Sequence, residues 1–326
     1  MPEVPAAAPD RPAVSIVMAT FNRSNVIPHA IASVRAQTLV DWELLVVGDA
    51  CTDDTERAVA AFEDPRIRFV NLERNLGDQS GPNSIGMRLA RAPRIAWLNH
   101  DDLWFPDHLE RLSRLMDESG ADVAIAPAYR VRELASDPSG WSGVVEATPL
   151  AEGFDLVGGS DFQASRWLMD AGLVRRLGDW RSARRLRYVA SQEYLYRAWS
   201  AGARFALSPV RSVVLVPSIV GGGSYLTRRD DEQRLLRERV LAGDRAPLEA
   251  LAVPIVPRVP PLAISVPDAT PSRARAWLRR NAAELYHRTH LFAVRLGAAP
   301  WEYAAFLLGV PRGGTNGLLR QRRGLV

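Results

Sequence analysis

The N-terminal third of the chain alternates between two patterns of apolar residues, one typical of strands and one typical of helices. Four short apolar runs, each predicted to be a strand, lie at Val14–Thr20, Trp42–Gly48, 66–72 and 94–99. Because these runs lack a polar face, they are typical of strands covered on both sides, as in a parallel sheet. The segments between them place apolar residues three or four positions apart, as amphipathic helices do. The alternation predicts an α/β domain with a mostly parallel sheet flanked by helices.

The second part of the chain carries weaker patterns. Its predicted segments are a fifth strand at 122–131, a poorly periodic stretch at 135–160, helical structure at 167–202, extended chain at 204–218, a glycine-rich loop at 221–224 and a charged helix at 229–242. The proline-rich stretch 252–271 separates these segments from a basic tail, which we predict to be helical.

Composition limits the class of protein. The 326 residues are 47% hydrophobic and 24% charged, which is typical of a soluble globular chain with about two domains. The single cysteine, Cys51, excludes an internal disulfide and a multi-cysteine metal site. Residues 1–12 lack the apolar stretch of a secretory signal, so we predict a disordered lead-in. Since no run of about 20 residues is uninterruptedly apolar, a soluble or peripheral protein is expected.

Positive charge is concentrated near the C-terminus. The net charge is +4, and every basic residue other than histidine is arginine, because the chain has no lysine. Residues 271–326 hold ten arginines against two acids, which leaves the preceding part mildly acidic. We predict that this tail either packs as helices on the preceding domain or lies on an anionic membrane surface. Nucleic acid is not an expected partner, because no recognised binding module accompanies the arginines.

Polar residues directly follow three of the predicted strands. The first strand runs into Thr20, Asn22 and Arg23, the second into Asp49, and the fourth into residues 99–102, which read Asn-His-Asp-Asp. In an open parallel sheet, ligands bind beyond the carboxyl ends of the strands. Each acid alone could cap a turn or a helix, but three such strand ends together predict a binding site with clustered carboxylates.

Three strings in this part of the chain carry a family resemblance. VSIVMATFNR, VVGDACTDDT and the stretch from NLGDQSG to NHDDLWFPDHL, at about residues 14–109, resemble the nucleotide-binding half of family 2 glycosyltransferases with the GT-A fold. The resemblance implies a GT-A type nucleotide-sugar-binding domain at 13–228. Its nucleotide-binding half would be 13–131 and its acceptor half 132–228, followed by a helical basic extension at 229–326.

Family 2 enzymes mostly transfer sugars with inversion from nucleoside-diphosphate donors and use Mn²⁺ or Mg²⁺, so the resemblance implies both properties here. The residues that it assigns to the donor nucleotide are Thr20, Asn22, Arg23, Asp49, Asn75 and His100. Among them, Asp49 is expected to accept a hydrogen bond from the base. The resemblance assigns the metal to Asp101, with Asn99 and Asp102 as weaker candidates, and a hard divalent ion prefers such oxygen ligands.

The chain also departs from the family pattern at two positions. Asn99 stands where the first acid of the D-x-D element is expected, and His100 fills its middle position. Gly48 replaces the first of the two acids that usually follow the second strand. These departures bear on the geometry of the metal site more than on the activity.

An inverting transfer needs a base on the acceptor side. The segment Ser191-Gln192-Glu193-Tyr194 is similar to an acidic element at the start of a helix in the family's second half, which implies that Glu193 is this base. The alternative is an acid favoured only by the helix dipole. Asp161 and Asp179 are lesser candidates.

Residues 163–167 spell Q-x-x-R-W, which marks processive polysaccharide synthases. In those enzymes the motif follows the catalytic acid, whereas here it precedes Glu193. We interpret the match as a coincidence and expect an enzyme that adds a single sugar.

The expected function is therefore transfer from a UDP- or dTDP-sugar to a glycan or lipid-linked acceptor, in cell-surface polysaccharide or glycoconjugate synthesis. The expected location is cytoplasmic, with peripheral contact at the inner face of the membrane as a further option. A non-catalytic nucleotide-sugar-binding protein and a nucleotidyltransferase remain alternatives, although the glycine-rich basic loop of the latter does not follow the first strand. A dinucleotide-dependent oxidoreductase is disfavoured, because G-x-G-x-x-G is absent there.

Overall fold

The computed structural model describes residues 11–137, 140–147, 163–183, 186, 190–216 and 230–254. Predictions for the basic tail, for Asp161 and for the loop 221–224 lie outside these residues. The strands of the described residues are β1 Val14–Thr20, β2 Trp42–Gly48, β3 Ile67–Asn71, β4 Arg94–Trp97, β5 Leu103–Trp104, β6 Val123–Ile125, β7 Ala128–Asp137, β8 Gly140–Ala147, β9 Trp167–Asp170, β10 Phe205–Leu207, β11 Val213–Leu215 and β12 Ala252–Pro254. The α-helices are α1 Ile27–Arg35, α2 Thr55–Ala60, α3 Ser80–Leu89, α4 His108–Ser119, α5 Ala171–Leu177, α6 Ala190–Ser200, α7 Asp231–Leu241 and α8 Ala246–Leu251.

Seven strands form the main sheet, in the order β10-β6-β9-β4-β1-β2-β3. Neighbouring strands are parallel except at β9, which runs antiparallel to both β4 and β6. The prediction of a mostly parallel α/β fold is confirmed, and β1 and β2 have the predicted bounds. In register, Thr20 lies beside Gly48 and Val17 lies beside Trp97. The strands β1, β2 and β4 therefore end at the same edge of the sheet.

Helices cover both faces of the main sheet because its central strands are apolar on both sides. On one face, α1 and α4 pack around the interior side chains of β1 and β2. The predicted apolar face of α1 is confirmed, since its four residues are fully buried: Ile27, Ala30, Ile31 and Val34. On the other face, α5 and α6 pack around an aromatic cluster formed by Trp97, Trp167, Trp180 and Tyr194. None of the helices in the described part of the chain combines the length and apolar composition that a membrane span requires.

A second sheet has five strands in the order β12-β8-β7-β11-β5. It follows the edge of the main sheet at which β1, β2 and β4 end. Its strand β5 begins at Leu103, directly after residues 99–102, so this acidic segment connects the two sheets. The helix α7 packs on α1 and on β7. At the start of α7, Asp230 Oδ2 lies 3.2 Å from His29 Nε2 of α1. The described part of the predicted extension thus lies against the core.

One predicted strand and one predicted extended segment are each divided between the two sheets. Residues 122–131 form β6 in the main sheet and β7 in the second sheet, and residues 204–218 contribute β10 and β11 in the same way. The prediction of a single strand at 122–131 is wrong because Pro127 interrupts it, and Pro209 likewise interrupts the extended chain at 204–218; proline has no N–H to donate to a ladder. Each run is largely apolar on both sides of its proline, so periodicity gives no sign of the change of sheet.

Two further predictions need correction. The helical pattern at 167–202 begins with the strand β9, because a short, buried apolar run does not distinguish a strand from a helix. The stretch at 135–160 was predicted to be irregular, yet β7 continues to Asp137 and pairs with β8 in an antiparallel hairpin. This hairpin gives the second sheet its two longest strands.

Candidate active site

The carboxyl ends of β1, β2 and β4 bring the polar loops of the sequence together. The N–H of Asp49 donates to the carbonyl of Thr20 across 2.8 Å, just beyond the last paired residues of β1 and β2. On the other side of β1, the ring Nδ1 of His100 lies 3.1 Å from the carbonyl oxygen of Ala19. The three predicted polar strand ends therefore meet at one edge, as the parallel topology requires.

Asp49 is buried and organises the loop that precedes α3. Its two carboxylate oxygens accept the N–H groups of Leu76, at 2.7 Å, and Gly77, at 3.0 Å. The side chain of Asn75 donates to the carbonyl of Asp49 across 2.9 Å. The structure thus brings the predicted donor residues Asp49 and Asn75 together. It also gives Asp49 a framework role that the sequence did not indicate.

Asn22 joins the loop after β1 to the loop after β2. Its backbone has a positive φ of 49°, which asparagine tolerates better than most residues. Its Oδ1 accepts the N–H groups of Thr52, at 2.8 Å, and Asp53, at 3.3 Å. The neighbouring Arg23 is buried, and its N–H donates to Thr55 Oγ1 across 3.0 Å. Both predicted donor residues therefore lie in a loop that is fixed by hydrogen bonds.

The glycine at position 48 has a steric reason. A Cβ atom there would lie 2.6 Å from the side-chain oxygen of Asn71, at the end of the neighbouring strand β3. Asn71 uses that oxygen to accept the N–H of Cys51 at 2.8 Å, and it donates to the Cys51 carbonyl at 2.9 Å. The Asn71 side chain therefore occupies the space that an acid at position 48 would need. Sequence reasoning missed Asn71 because it lies within a different strand, as the last residue of β3.

Both carboxylate oxygens of Asp102 accept hydrogen bonds from the protein. One carboxylate oxygen accepts the Asn99 amide at 2.8 Å and the Ser165 hydroxyl at 2.5 Å, and the other accepts the N–H of Val216 at 3.1 Å. Burial, together with the nearby charge of Asp101, raises the pKa of Asp102 to about 7. Asp102 therefore ties the end of β4 to the segments before β9 and after β11.

Asp101 is the more accessible acid of this segment, with 14% of its side chain exposed. The Gln233 side chain of α7 donates to the carbonyl of Asp101 across 3.0 Å. The ring Nε2 of His100 lies 4.0 Å from one Asp101 carboxylate oxygen. Gln233, which sequence reasoning missed, thus fixes the backbone of the predicted metal ligand from a helix far along the chain.

The donor set at this edge suits one type of metal site. In the part of the chain that the structure describes, no three side chains of His, Cys, Asp or Glu converge as metal ligands. An ion that is bound by one or two carboxylates and by phosphate oxygens needs no such cluster. The accessible carboxylate of Asp101, with the Asn99 amide two residues earlier, fits Mn²⁺ or Mg²⁺ held in that way. It does not fit a site built from protein ligands alone.

Glu193 lies in the first turn of α6 and is almost completely buried between two arginines. Arg197 Nε is 3.0 Å from Glu193 Oε1, and Arg181 Nη1 is also 3.0 Å from this oxygen. The two guanidinium nitrogens of Arg197 that remain donate to the carbonyls of Leu177 and Asp179, at 2.6 and 2.7 Å. The carboxylate of Asp179, a lesser candidate for the base, instead pairs with Arg88 on the surface.

The segment 178–183 connects Glu193 to the donor loop. Its Trp180 N–H donates to Ser84 Oγ of α3 across 3.0 Å, and its Ser182 hydroxyl donates to Asp78 Oδ2 across 2.7 Å. Asp78 follows the pair of N–H groups that Asp49 binds. The predicted acceptor side and the predicted donor side are therefore linked by direct hydrogen bonds.

Comparison with known proteins finds similarity over part of the chain. Residues 15–137 match the model of glycosyl transferase family 2. The succinoglycan biosynthesis protein ExoO of Rhizobium meliloti (strain 1021) is 40% identical over 121 residues, 37% of this chain and 34% of that protein. The Escherichia coli UDP-Glc:alpha-D-GlcNAc-diphosphoundecaprenol beta-1,3-glucosyltransferase WfgD is 36% identical over 103 residues, 32% of this chain and 40% of that protein. The match thus spans well under half of these relatives.

A solved structure shares the fold over a longer stretch. Residues 1–349 of S. aureus TarS, in complex with UDP-GlcNAc, align with 95% of this chain and 92% of that chain, at 13% identity and a TM-score of 0.51. At this identity the similarity concerns the fold alone. The predicted GT-A type fold is confirmed.

Within the residues that match the family 2 model, the asparagine at position 99 has a local explanation. Its amide donates to the buried carboxylate of Asp102. An acid at position 99 would have no proton to donate there when ionised and would place a second negative charge beside Asp102, which is costly in a buried setting. Asn99 and Asp102 are therefore matched to each other.

The Q-x-x-R-W motif at residues 163–167 lies beside the site and has structural contacts. Arg166 is buried, and its Nε donates to the carbonyl of Ala126 across 2.7 Å. Trp167 belongs to the aromatic cluster. Between the named positions of the motif, Ser165 binds Asp102 and accepts the N–H of Asn99 at 3.0 Å. Sequence reasoning missed Ser165, which no recognised spacing marks.

Proposed function

We propose that this chain is an inverting glycosyltransferase that adds a single sugar from a nucleoside-diphosphate sugar to a hydroxyl group of an acceptor, with Mn²⁺ or Mg²⁺. The observation that carries the proposal is the convergence of Thr20, Asp49 and the Asp101 segment at one sheet edge inside the family 2 match. Ligands bind at this edge in open α/β sheets.

On the donor side, Asp101 is the proposed metal ligand, and Asn99 is the proposed neutral partner. Asp102 is assigned a positioning role, because its hydrogen bonds to Asn99, Ser165 and Val216 hold neighbouring segments in place. The metal ion, when bound, would offset the negative charge that develops on the departing diphosphate. Thr20, Asn22, Arg23, Asp49, Asn75 and His100 are the residues proposed to surround the nucleotide.

On the acceptor side, Glu193 is the proposed base. In the transfer, the acceptor oxygen bonds to the anomeric carbon, and the bond from that carbon to the diphosphate oxygen breaks, its electron pair leaving with the diphosphate. The hydroxyl proton passes to Glu193. Because Arg197 is itself fixed by two backbone carbonyls, it holds the Glu193 carboxylate in one orientation.

The names of the relatives support a substrate class. WfgD is named as an enzyme that uses UDP-Glc and a GlcNAc-diphosphoundecaprenol acceptor, and ExoO as a succinoglycan biosynthesis protein. We extend this to a UDP- or dTDP-sugar donor and a glycan or lipid-linked acceptor, in the synthesis of a cell-surface polysaccharide or glycoconjugate. A cytoplasmic location, with the basic tail at the inner face of the membrane, is part of the same proposal.

A thermal-shift panel of UDP, dTDP and GDP, each with and without Mn²⁺, tests the donor site. We expect stabilisation by a uridine or thymidine nucleotide, of about 2.7 kcal/mol at 100 times its dissociation constant, that increases with Mn²⁺. Asp101→Asn should remove the contribution of Mn²⁺ and keep the metal-free shift. Asp117→Asn, on an exposed part of α4, is the matched control.

The outcomes separate the possible functions. A folded protein that responds to no nucleotide would contradict the proposal. Nucleotide binding without consumption of any matching sugar nucleotide, in the presence of a panel of acceptors, would support the non-catalytic alternative.

A further inference from the structure

The carboxylate of Glu193 is covered by two arginines of different kinds. Arg197 has 17% of its side chain exposed, and its guanidinium group is bound to backbone carbonyls as well as to Glu193. Arg181 has 63% of its side chain exposed, although it lies 3.0 Å from a carboxylate that is only 4% exposed. Arg197 is therefore part of the framework, whereas Arg181 is a mostly exposed cation in contact with Glu193.

Arg181 has capacity for a second anion. Within the described residues, its one ion pair is with Glu193, and it uses a single guanidinium nitrogen for that contact. A guanidinium group carries five N–H donors in a planar fork that matches the geometry of phosphate and carboxylate groups. The backbone of Arg181 is held on both sides, by the hydrogen bonds of Trp180 and Ser182. The backbone that carries the Arg181 side chain is therefore held in place.

The position of Arg181 conflicts with the role proposed for Glu193. Oxygen Oε1 of Glu193 is shared by Arg181 and Arg197, and Arg181 is the more exposed of the two arginines. Arg181 is the exposed partner of this pair, and Arg197 still balances the charge of Glu193 when Arg181 moves away. An anionic group that attracts Arg181 would uncover the Glu193 carboxylate for the acceptor hydroxyl.

We infer that the acceptor carries a phosphate or diphosphate group and that Arg181 binds it, which uncovers Glu193 when the correct acceptor arrives. This inference rests on the proposed function, because it assigns the acceptor class of the same site. The phosphate could belong to a soluble sugar phosphate or to a sugar on a lipid diphosphate, and both present the same anionic chemistry.

Arginine footprinting tests the inference without requiring turnover. The full chain is saturated with UDP and Mn²⁺, so that the donor site is filled, and is then treated with phenylglyoxal. Modification of Arg181 is followed by mass spectrometry in the presence of glucose 1-phosphate, of a short prenyl-diphosphate glucose, or of methyl α-glucoside. We expect one or both anionic probes to slow the modification of Arg181, and methyl α-glucoside to have no effect. Arg175, an exposed arginine of α5, is the internal control and should react equally in all arms.

A matched pair of variants adds a second measurement, the dissociation constant of the protecting probe. Arg181→Gln should weaken binding of the protecting probe about tenfold or more, because a charge-assisted contact is lost, while Arg181→Lys should restore part of it. Arg175→Gln should leave the dissociation constant of the protecting probe unchanged. Since Arg181 is exposed, these variants should keep the melting temperature of the wild type.

Each result either supports or overturns the assignment of Arg181 to the acceptor phosphate. Protection by the soluble phosphate, or only by the prenyl diphosphate, supports the inference and identifies the source of the phosphate. If neither anion protects Arg181 while UDP with Mn²⁺ still raises the melting temperature, the inference is overturned and the proposed function stands. If UDP with Mn²⁺ gives no thermal shift, the proposed function fails first, and the acceptor assignment fails with it.

Discussion

The hydroxyl of Ser182 donates a hydrogen bond to the carboxylate of Asp78 across 2.7 Å, joining residues that are 104 positions apart. Asp78 also accepts the N–H of Ser80 at 2.7 Å, at the start of α3. The contact connects the loop that Asp49 holds to the segment that presents Arg181 to Glu193. The donor and acceptor sides of the proposed site are thus connected by this hydrogen bond.

Ser182→Ala should weaken this coupling. We expect the free energy of unfolding to fall by about 1 kcal/mol and kcat/KM to fall about fivefold, because one partly buried hydrogen bond is lost. The dissociation constant of the donor nucleotide should change little, since Asp49 and its loop contacts remain. Calorimetric binding and steady-state kinetics give the two quantities. Ser119→Ala removes a hydroxyl from the far end of α4 and serves as the control, and an equal loss of activity there would contradict the argument.

Glu193→Gln should abolish transfer and leave donor binding intact. The glutamine has nearly the same shape but cannot accept the hydroxyl proton as a carboxylate does. We expect kcat to fall by a factor of about 100 or more, while nucleotide with Mn²⁺ gives an unchanged thermal shift. Asp179→Asn, which alters only a surface ion pair, should retain activity. Normal turnover by Glu193→Gln would remove Glu193 from the mechanism.

The sequence predicted those parts of the fold and site whose signals are local. β1 and β2 are uninterrupted apolar runs followed by polar residues, so their ends and the candidates Thr20 and Asp49 could be read directly. The roles of Asn71 and Gln233 could not, because they depend on hydrogen-bond partners 20 and 132 positions away. A division of one apolar run between two sheets, as at Pro127, is equally invisible to periodicity.

Gln233→Glu should weaken the binding of the divalent metal. The side-chain N–H that donates to the Asp101 carbonyl is replaced by an oxygen, which would face that carbonyl without a hydrogen bond. A loss of about 1 kcal/mol corresponds to roughly a fivefold higher apparent dissociation constant for Mn²⁺. Titration of Mn²⁺ in the presence of saturating UDP measures it. Glu232→Gln, at the neighbouring position of α7, should leave the titration unchanged; a similar shift in both variants would indicate only a general effect of the helix.

Gly48→Ala should destabilise the donor edge through a steric clash. The added Cβ would lie 2.6 Å from the Asn71 side-chain oxygen and 3.1 Å from Cys51 Sγ, so we expect a loss of about 1–3 kcal/mol in the free energy of unfolding. Asn71→Ala removes the first of these neighbours. If the clash is with Asn71, the double variant Gly48→Ala with Asn71→Ala should lose less than the sum of the single variants. Urea unfolding of the four proteins measures this coupling, and strict additivity would exclude the clash as the cause.

His108 should make the fold sensitive to moderately acidic pH. The ring is fully buried, stacks on Trp104 at 4.5 Å between centroids, and lies 2.8 Å from Ser212 Oγ through Nδ1. Burial lowers the pKa of His108 from 6.5 to about 3, so between these values the unfolded chain binds a proton that the folded chain does not. The stabilising effect of a neutral histidine is therefore complete above the unfolded pKa and is lost as pH falls toward the folded one.

The variant His108→Phe isolates this contribution. It keeps an aromatic ring against Trp104 and removes the titrating group, although it costs stability at every pH because Ser212 loses its partner. Between pH 7.5 and pH 5, the wild type should lose about 2 kcal/mol more of its free energy of unfolding than the variant does. The reason is that only the wild type has a ring at position 108 that takes up a proton on unfolding. Urea unfolding at both pH values gives the difference. Equal losses in the two proteins would mean that the buried ring is already charged in the folded state at pH 5, or that carboxylates alone set the acid sensitivity.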